Sequence, residues 1–236
     1  MPGYILHLTE AKTIVKELQL EGYSLSDEWV NAFYLGNLLP DTKIKREKIT
    51  SHFWNPESLI RQAIAPDLDR FFQKYRSQLK GPLILGYLSH LHLDACFVNS
   101  FWPSMWLFLD EEKNPETLQE HIRYAWLKVS NKEIPVKDFF SSAYYYGDYS
   151  RMNAYLLNKY RLNVPVYDSA LDCPVEEVHI DDLKTVLEEL QYLCDTVQPG
   201  AEKELTVFDL PSLERFIAGT AEEMADLLLK EYLLQS

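Results

Sequence analysis

Apolar residues recur along most of the chain with the spacing of an amphipathic α-helix. In the segment 8–20, Ala11, Ile14, Val15 and Leu18 share one face, and glutamate and lysine residues occupy the opposite face. The remaining pattern predicts helices over segments 26–36, 55–80, 82–97, 114–126, 150–160 and 210–234. Pro66 interrupts the helix predicted over 55–80. A further helix is predicted to begin at residue 175 or 181 and to end at 194. Segments 164–167 and 204–208 are candidates for brief strands. The chain is therefore predicted to form an all-α domain.

Several of the predicted helices begin at polar caps followed by proline. Asn55-Pro-Glu and Asn114-Pro-Glu each offer asparagine as the N-cap and proline as the first helical residue. Gly81-Pro82 separates the preceding segment from the most apolar run of the chain, 86–97. This apolar run is predicted to be a buried helix.

Length and composition indicate an ordinary globular protein. A chain of 236 residues can bury one sizeable core, so we expect a single domain over residues 1–236. The net charge of −13 argues against a nonspecific hold on nucleic acid or on an anionic membrane surface. It leaves room for a local metal site that binds phosphate, because divalent ions dominate the field close to them.

The cysteines and the N-terminus bear on the compartment. Cys96, Cys173 and Cys194 have no C-x-x-C spacing, and this sparse, odd number is typical of a reducing compartment. The first residues lack a basic region followed by an apolar one, and no apolar run is long enough to span a bilayer. These features predict a cytoplasmic protein without a transmembrane segment; they say nothing about its oligomeric state.

The apolar run contains the first candidate for chemistry. His90 and Asp94 are four residues apart, so on a helix they share one face and point into the interior together. His92 lies roughly 200° around the helix from His90 and is excluded from that face. A buried ionisable pair is costly unless it is neutralised, and a divalent metal is one way to do so. A plain buried histidine–aspartate hydrogen bond is the other interpretation.

Three more residues have the chemistry of metal ligands. His7 precedes the first predicted helix, Asp41 follows Pro40 in a loop, and His52 stands beside two aromatic residues. Each also has a structural interpretation as a half-buried helix-start residue, a turn acid or a packed ring. Three histidines and two aspartates at element ends or on a buried helix match the ligands of zinc, manganese and iron sites that keep a position for water.

The order of the motifs resembles a known family. The chain reads Met-Pro-Gly-Tyr-Ile-Leu-His (1–7), Leu-Gly-Asn-Leu-Leu-Pro-Asp (35–41), His-Phe-Trp (52–54) and Leu-Gly-Tyr-Leu-Ser-His-Leu-His-Leu-Asp (85–94). This set resembles the zinc-dependent phospholipase C family, which belongs to the all-helical superfamily of bacterial phospholipases C and S1/P1 nucleases. The segment 146–153 is similar to uncharacterised bacterial members. The resemblance implies a helical bundle of that type.

The resemblance also implies roles for the five residues. His52, His90 and Asp94 would hold one ion, and Asp94 would bridge to a second ion bound by His7. Asp41 would bind the first ion or orient the attacking water. The resemblance implies one or two divalent ions per chain, with zinc first among them. It also implies hydrolysis of a phosphoester by a metal-activated water. The sequence shows no motif of covalent catalysis.

The chain departs from the secreted relatives in two respects. Their third metal is held by a His–His–Glu cluster, whereas the next histidines here, His121 and His179, lie in polar segments that predict solvated side chains. Their N-terminal amine also binds metal. Asp148, an acid in an otherwise uncharged stretch, is the candidate to replace that ligand; its other interpretation is the N-cap of a helix that begins near Ser150.

Two other functional classes remain open. A catalytically silent helical protein with a structural metal would carry the same ligands. A single-strand nuclease or nucleotide phosphohydrolase would need a stacking platform and basic residues, and the dense basic cluster is Lys43, Lys45, Arg46 and Lys48. The charge favours a small phosphoester or phospholipid head group over nucleic acid. An interfacial lipid substrate would need an exposed apolar rim, for which segment 101–108 is the candidate; a buried connector is the alternative.

Overall fold

The computed structural model describes residues 2–196 and 205–233, and these residues are mostly helical with one small three-stranded sheet. The helical prediction is confirmed in this coarse form. The α-helices are α1 (Tyr4–Leu20), α2 (Asp27–Leu38), α3 (Lys48–Ser51), α4 (Leu68–Tyr75), α5 (Pro82–Cys96), α6 (Trp102–Met105), α7 (Val136–Phe139), α8 (Tyr145–Tyr160), α9 (Leu183–Thr196) and α10 (Leu210–Leu228). The strands are β1 (Trp106–Leu109), β2 (Tyr124–Leu127) and β3 (Lys132–Pro135).

The predicted start signals hold for the helices that form the core. The Ser26 side chain accepts the backbone N–H of Trp29 at 3.2 Å and caps α2. Pro82 lies in the first turn of α5, where its missing N–H costs nothing. The apolar stripe of α1 is buried as predicted. One cluster of buried apolar side chains extends from Ile5 to Leu228.

The predicted helix over 114–126 is wrong, because this segment forms a turn and then β2. Asp110 accepts the backbone N–H of Asn114 at 2.8 Å, and Glu116 accepts those of Thr117 and Leu118. Such bonds from side chains to nearby backbone compete with a helix. β2 pairs antiparallel with both β1 and β3, so the sheet order is β1-β2-β3.

Other predicted boundaries also need correction. After Asn55 only the 3₁₀ turn Pro56–Ile60 forms, and a full helix begins beyond Pro66. The last helix changes at its end into a wider turn, Leu229–Leu233, and its predicted end at 234 lies outside the described residues. Segments 164–167 and 205–208 are not strands; residue 204 lies outside the described residues.

The close crossing of α2 and α5 is set by two glycines. A Cβ on Gly36 would stand 1.9 Å from the Leu83 carbonyl oxygen, and a Cβ on Gly86 would stand 2.1 Å from that of Phe33. No larger residue fits at either position without moving the backbone. This approach brings the backbone of Asn37 against Gly86, one turn before His90, and the Asn37 carbonyl oxygen to 2.8 Å from His90 Nδ1.

No helix among the described residues is long and apolar enough to cross a bilayer. The segment 101–108 is an internal connector: Phe101, Trp102, Met105, Trp106 and Phe108 are buried. Most of the large apolar side chains of this segment therefore pack in the interior, and the buried alternative for it is the one observed.

Candidate metal centre

Five residues that the sequence singled out meet inside the helical core. His7 lies in the first turn of α1, Asp41 in a 3₁₀ turn directly after α2, His52 directly after α3, and His90 and Asp94 on successive turns of α5. The three histidines and Asp94 have no solvent exposure, and Asp41 is 6% exposed. We call these five residues the central cluster.

Distances within the central cluster are those between ligands of one ion. The Nε2 atoms of His52 and His90 are 3.3 Å apart, and Asp94 Oδ2 lies 3.6 Å from the first and 3.7 Å from the second. Two ligands at about 2.0–2.1 Å from a tetrahedral zinc are about 3.3–3.4 Å apart. The separations therefore suit a shared cation better than direct hydrogen bonds, which are typically about 2.7–3.2 Å long.

A second group of ligands shares residues with the first. The ligand atoms of His7, Asp41 and His90 lie within 4.8 Å of one another, as do those of His52, His90 and Asp94. The His7 ring stacks on the His90 ring with centroids 3.6 Å apart. Asp94 Oδ1 lies 3.4 Å from His7 Nε2, whereas its Oδ2 faces His52 and His90. Asp94 thus presents its two oxygens to different histidines, as a bridging carboxylate does.

The hydrogen bonds of two histidines fix which nitrogen is free to bind. His90 Nδ1 donates to the Asn37 carbonyl oxygen at 2.8 Å. The Ser51 hydroxyl donates to the Pro40 carbonyl oxygen, so it accepts from His52 Nδ1 at 2.9 Å. In the neutral tautomers both Nε2 atoms then carry a lone pair. Two lone pairs that face each other at 3.3 Å repel, and a metal ion beside them or a proton shared between them would remove this repulsion.

The electrostatics favour a neutral His90 beside ionised carboxylates. Burial, reinforced by His7, holds the pKa of His90 well below 6.5. Burial opposes ionisation of Asp94, yet its interactions with His7 and His90 lower its pKa below the usual value. Burial likewise opposes ionisation of Asp41. The Lys48 ammonium at 2.5 Å has the larger opposite effect, so the pKa of Asp41 is held well below its usual range. The centre is therefore rich in negative charge.

The unsatisfied polar atoms of the core point to the same conclusion. Both ring nitrogens of His7 and both carboxylate oxygens of Asp94 are buried without a hydrogen-bond partner. An isolated buried carboxylate is costly, by about several kcal/mol even after relaxation. A divalent cation among these atoms would engage the Asp94 carboxylate and the Nε2 atom of His7. The residues present therefore fit a metal, and the buried histidine–aspartate cluster can hold one.

A hydrogen-bonded chain of polar side chains lies behind the central cluster. The Asn37 amide donates to Ser89 Oγ at 3.2 Å, and the Ser89 hydroxyl donates to Glu10 Oε2 at 3.1 Å. Asn37 therefore links His90 to a buried carboxyl group. Sequence reasoning missed Glu10, although a glutamate three residues after His7 falls on the same helix face and was a usable signal.

Glu10 gives a testable pH dependence. Burial raises the pKa of Glu10 from 4.5 to about 8, so the folded protein binds a proton that the unfolded chain releases at lower pH. The free energy of unfolding therefore falls as pH rises from about 4.5 to 8, by up to about 5 kcal/mol at 1.36 kcal/mol per pKa unit. Glu10→Gln should flatten this part of the profile in urea unfolding, and the exposed Glu21→Gln should not. Equal profiles for Glu10→Gln and wild type would contradict the assignment.

The structure places the other predicted candidates away from the central cluster. Asp148 belongs to neither group of the cluster, and its carboxylate accepts the backbone N–H groups of segment 206–208. It is not the N-cap of a helix starting near Ser150, because α8 begins at Tyr145. His121 is 52% exposed between two glutamates, and His179 is exposed, so the solvated interpretation is confirmed for both. The N-terminal amine lies outside the described residues.

We compared the chain with family models, curated proteins and solved structures, and none of them matches it.

Proposed function

We propose that this protein is a metal-dependent phosphoester hydrolase whose central cluster holds one or two divalent ions, zinc first among them. The observation that carries the proposal is the pair of free Nε2 lone pairs of His52 and His90 at 3.3 Å, beside the unpartnered carboxylate of Asp94. Mixed imidazole and carboxylate ligands are typical of zinc sites that act on water. The proposed fold type is that of the phospholipase C and P1 nuclease superfamily.

The geometry supports a division of roles. His52, His90 and Asp94 would hold one ion, and Asp94 would share its other oxygen with a second ion at His7. Two divalent ions supply Lewis acidity, which activates a water and stabilises charge on the phosphoryl oxygens. Asp41, held ionised by Lys48, would bind the first ion or orient the attacking water as a hydrogen-bond acceptor.

Asp41 also indicates the side from which a substrate would enter. It is the one member of the central cluster with any exposure, and Lys48 beside it is 27% exposed. A phosphate that approaches Asp41 from solvent would therefore meet the Lys48 ammonium first. This arrangement suits a small anionic or zwitterionic phosphodiester.

The basic cluster supports a small substrate over nucleic acid. Lys43 pairs with Asp182 at 2.7 Å, and Lys48 pairs with Asp41 at 2.5 Å. These two charges are already compensated, and the chain carries a net charge of −13. A polyanion would be repelled at distances within the Debye length of about 8–10 Å.

Turnover by wild type and Asp41→Asn tests the proposal. The substrates are a chromogenic phosphodiester, a phosphocholine lipid and single-stranded DNA, each with zinc or manganese supplied. Loss of the Asp41 carboxylate, which would orient the attacking water, is expected to lower kcat by about 10²-fold on the preferred small substrate. Asp182→Asn is the matched control, because it also removes a carboxylate from a lysine pair, and it should keep full activity. Faster metal-dependent cleavage of DNA than of the other substrates would overturn the substrate assignment.

A structural metal is the second candidate function, and the burial of the central cluster favours it. Four of its five side chains have no exposure. In that case a chelator would lower the melting temperature, since metal binding energy is folding energy, and the metal-loaded protein would show no turnover on a broad phosphoester panel. Turnover by the loaded protein decides between the two.

A further inference from the structure

A second set of ligand-type side chains lies on another face of α5. His92 and Cys96 stand one turn apart on this helix, and Glu223 of α10 approaches them. Their ligand atoms lie within 4.8 Å of one another. His92 and Cys96 are half-buried, and Glu223 is exposed. We call these three residues the peripheral cluster.

The spacing inside the peripheral cluster is that of a tetrahedral metal site. Cys96 Sγ lies 3.6 Å from His92 Nε2. A zinc–sulfur bond of about 2.3 Å and a zinc–nitrogen bond of about 2.0–2.1 Å at the tetrahedral angle place the two atoms about 3.6 Å apart. The other ring nitrogen, His92 Nδ1, is buried without a hydrogen-bond partner. The ring therefore makes its polar contact through Nε2, the atom that faces Cys96 Sγ. The third ligand comes from a different helix, so the set is not confined to the surface of α5.

We propose that His92, Cys96 and Glu223 form a binding site for a thiophilic divalent cation of the zinc class. A thiolate and an imidazole select zinc, cobalt or cadmium over magnesium or calcium, which prefer oxygen ligands alone. Three protein ligands leave a fourth position for water. The site differs in chemistry from the central cluster, which contains no sulfur, and the proposal does not depend on the proposed hydrolase activity.

An ion in the peripheral cluster would join two parts of the core. α5 carries His90 and Asp94, and α10 is the last long helix among the described residues. A bond from Glu223 to an ion held by α5 would fix α10 against it. Ligand binding to the folded state alone raises the apparent stability. The melting temperature is therefore expected to rise with metal, and this rise should depend on Glu223.

Cobalt(II) is the probe, because a thiolate bound to cobalt gives a near-ultraviolet charge-transfer band that imidazole and carboxylate ligands do not give. In a His90→Ala background, where the central cluster no longer competes for the ion, the protein is expected to develop this band with one equivalent of cobalt per chain, and Cys96→Ser in the same background to lose it. Glu223→Gln, at an exposed position, should weaken cobalt binding at this site at least about tenfold, by analogy with the effect of losing a supporting residue. Glu222→Gln, the exposed neighbour on the same helix, and Cys173→Ser are the matched controls, which should keep the band.

Three results would overturn the peripheral site. The band would be absent from the His90→Ala protein if Cys96 and His92 share only a weak hydrogen bond. It would persist in Cys96→Ser if another cysteine bound the ion. Equal cobalt affinity in Glu223→Gln and Glu222→Gln would show that Glu223 is not a ligand, and the proposed three-residue site would then be wrong. Glu223→Gln changes an exposed side chain, so it remains informative even where Cys96→Ser folds poorly.

Discussion

His90→Ala is expected to remove bound metal from the central cluster and to lower any phosphodiesterase activity at least about 100-fold. The expected size follows from metal sites in which loss of a supporting residue alone costs about 10–100-fold, and a ligand should cost no less. His90 belongs to both ligand groups, and its Nε2 faces those of His52 and the Asp94 carboxylate. Alanine therefore removes a nitrogen ligand of the first proposed ion and a member of both ligand groups.

Metal content by mass spectrometry and turnover on a chromogenic phosphodiester measure this effect. Both measurements are best carried out in a Cys96→Ser background, so that an ion in the peripheral cluster does not contribute to the measured metal content. His121→Ala is the control, since it removes an exposed histidine outside both clusters. Equal metal retention in the two variants would refute the centre. His7→Ala in the same background should lose one of two ions, and an unchanged stoichiometry would argue for a single-ion site.

Local spacing was sufficient to predict part of the centre. The pair His90 and Asp94 follows from helix periodicity, and so does the exclusion of His92 from their face. The convergence of His7, Asp41 and His52 on that pair has no local signal, because it depends on how α1, the turn after α2 and the turn after α3 pack on α5. The ordered motifs of the resembling family supplied that expectation, and the structure brings these residues together.

Other features depend on contacts that a linear pattern does not contain. Asn114-Pro-Glu looks like a helix start, yet Asp110 and Glu116 use their carboxylates to close turns there. The pairing of His92 and Cys96 with Glu223 requires α5 and α10 to be neighbours, which neither helix encodes alone. The support of His90 by Asn37 requires the close crossing at Gly36 and Gly86. These features depend on tertiary packing, so they could not be predicted from the sequence of any one segment.

Asp148 shows how a buried acid can be structural where its sequence context suggested a ligand. Its Oδ2 accepts the backbone N–H groups of Thr206, Val207 and Phe208 at 2.8, 2.6 and 3.2 Å, and its Oδ1 pairs with Arg151 at 3.1 Å. The side chain has no exposure. One carboxylate thus holds the chain segment before α10 against α8. Hydrogen bonds to a charged acceptor are about twice as strong as neutral ones.

Asp148→Ala is expected to lower the free energy of unfolding by about 3–5 kcal/mol, because it leaves buried N–H groups and Arg151 without their partner. Asp148→Asn keeps one acceptor oxygen but no charge, and it should cost less. The measurement is urea unfolding, with Asp138→Ala as the control; Asp138 is exposed, and its loss should cost no more than about 0.5 kcal/mol. Metal content separates this role from that of a ligand: folded Asp148→Asn should keep the full content of wild type. Loss of one ion per chain with little change in stability would make Asp148 a ligand after all, and its bonds to segment 206–208 would then be secondary.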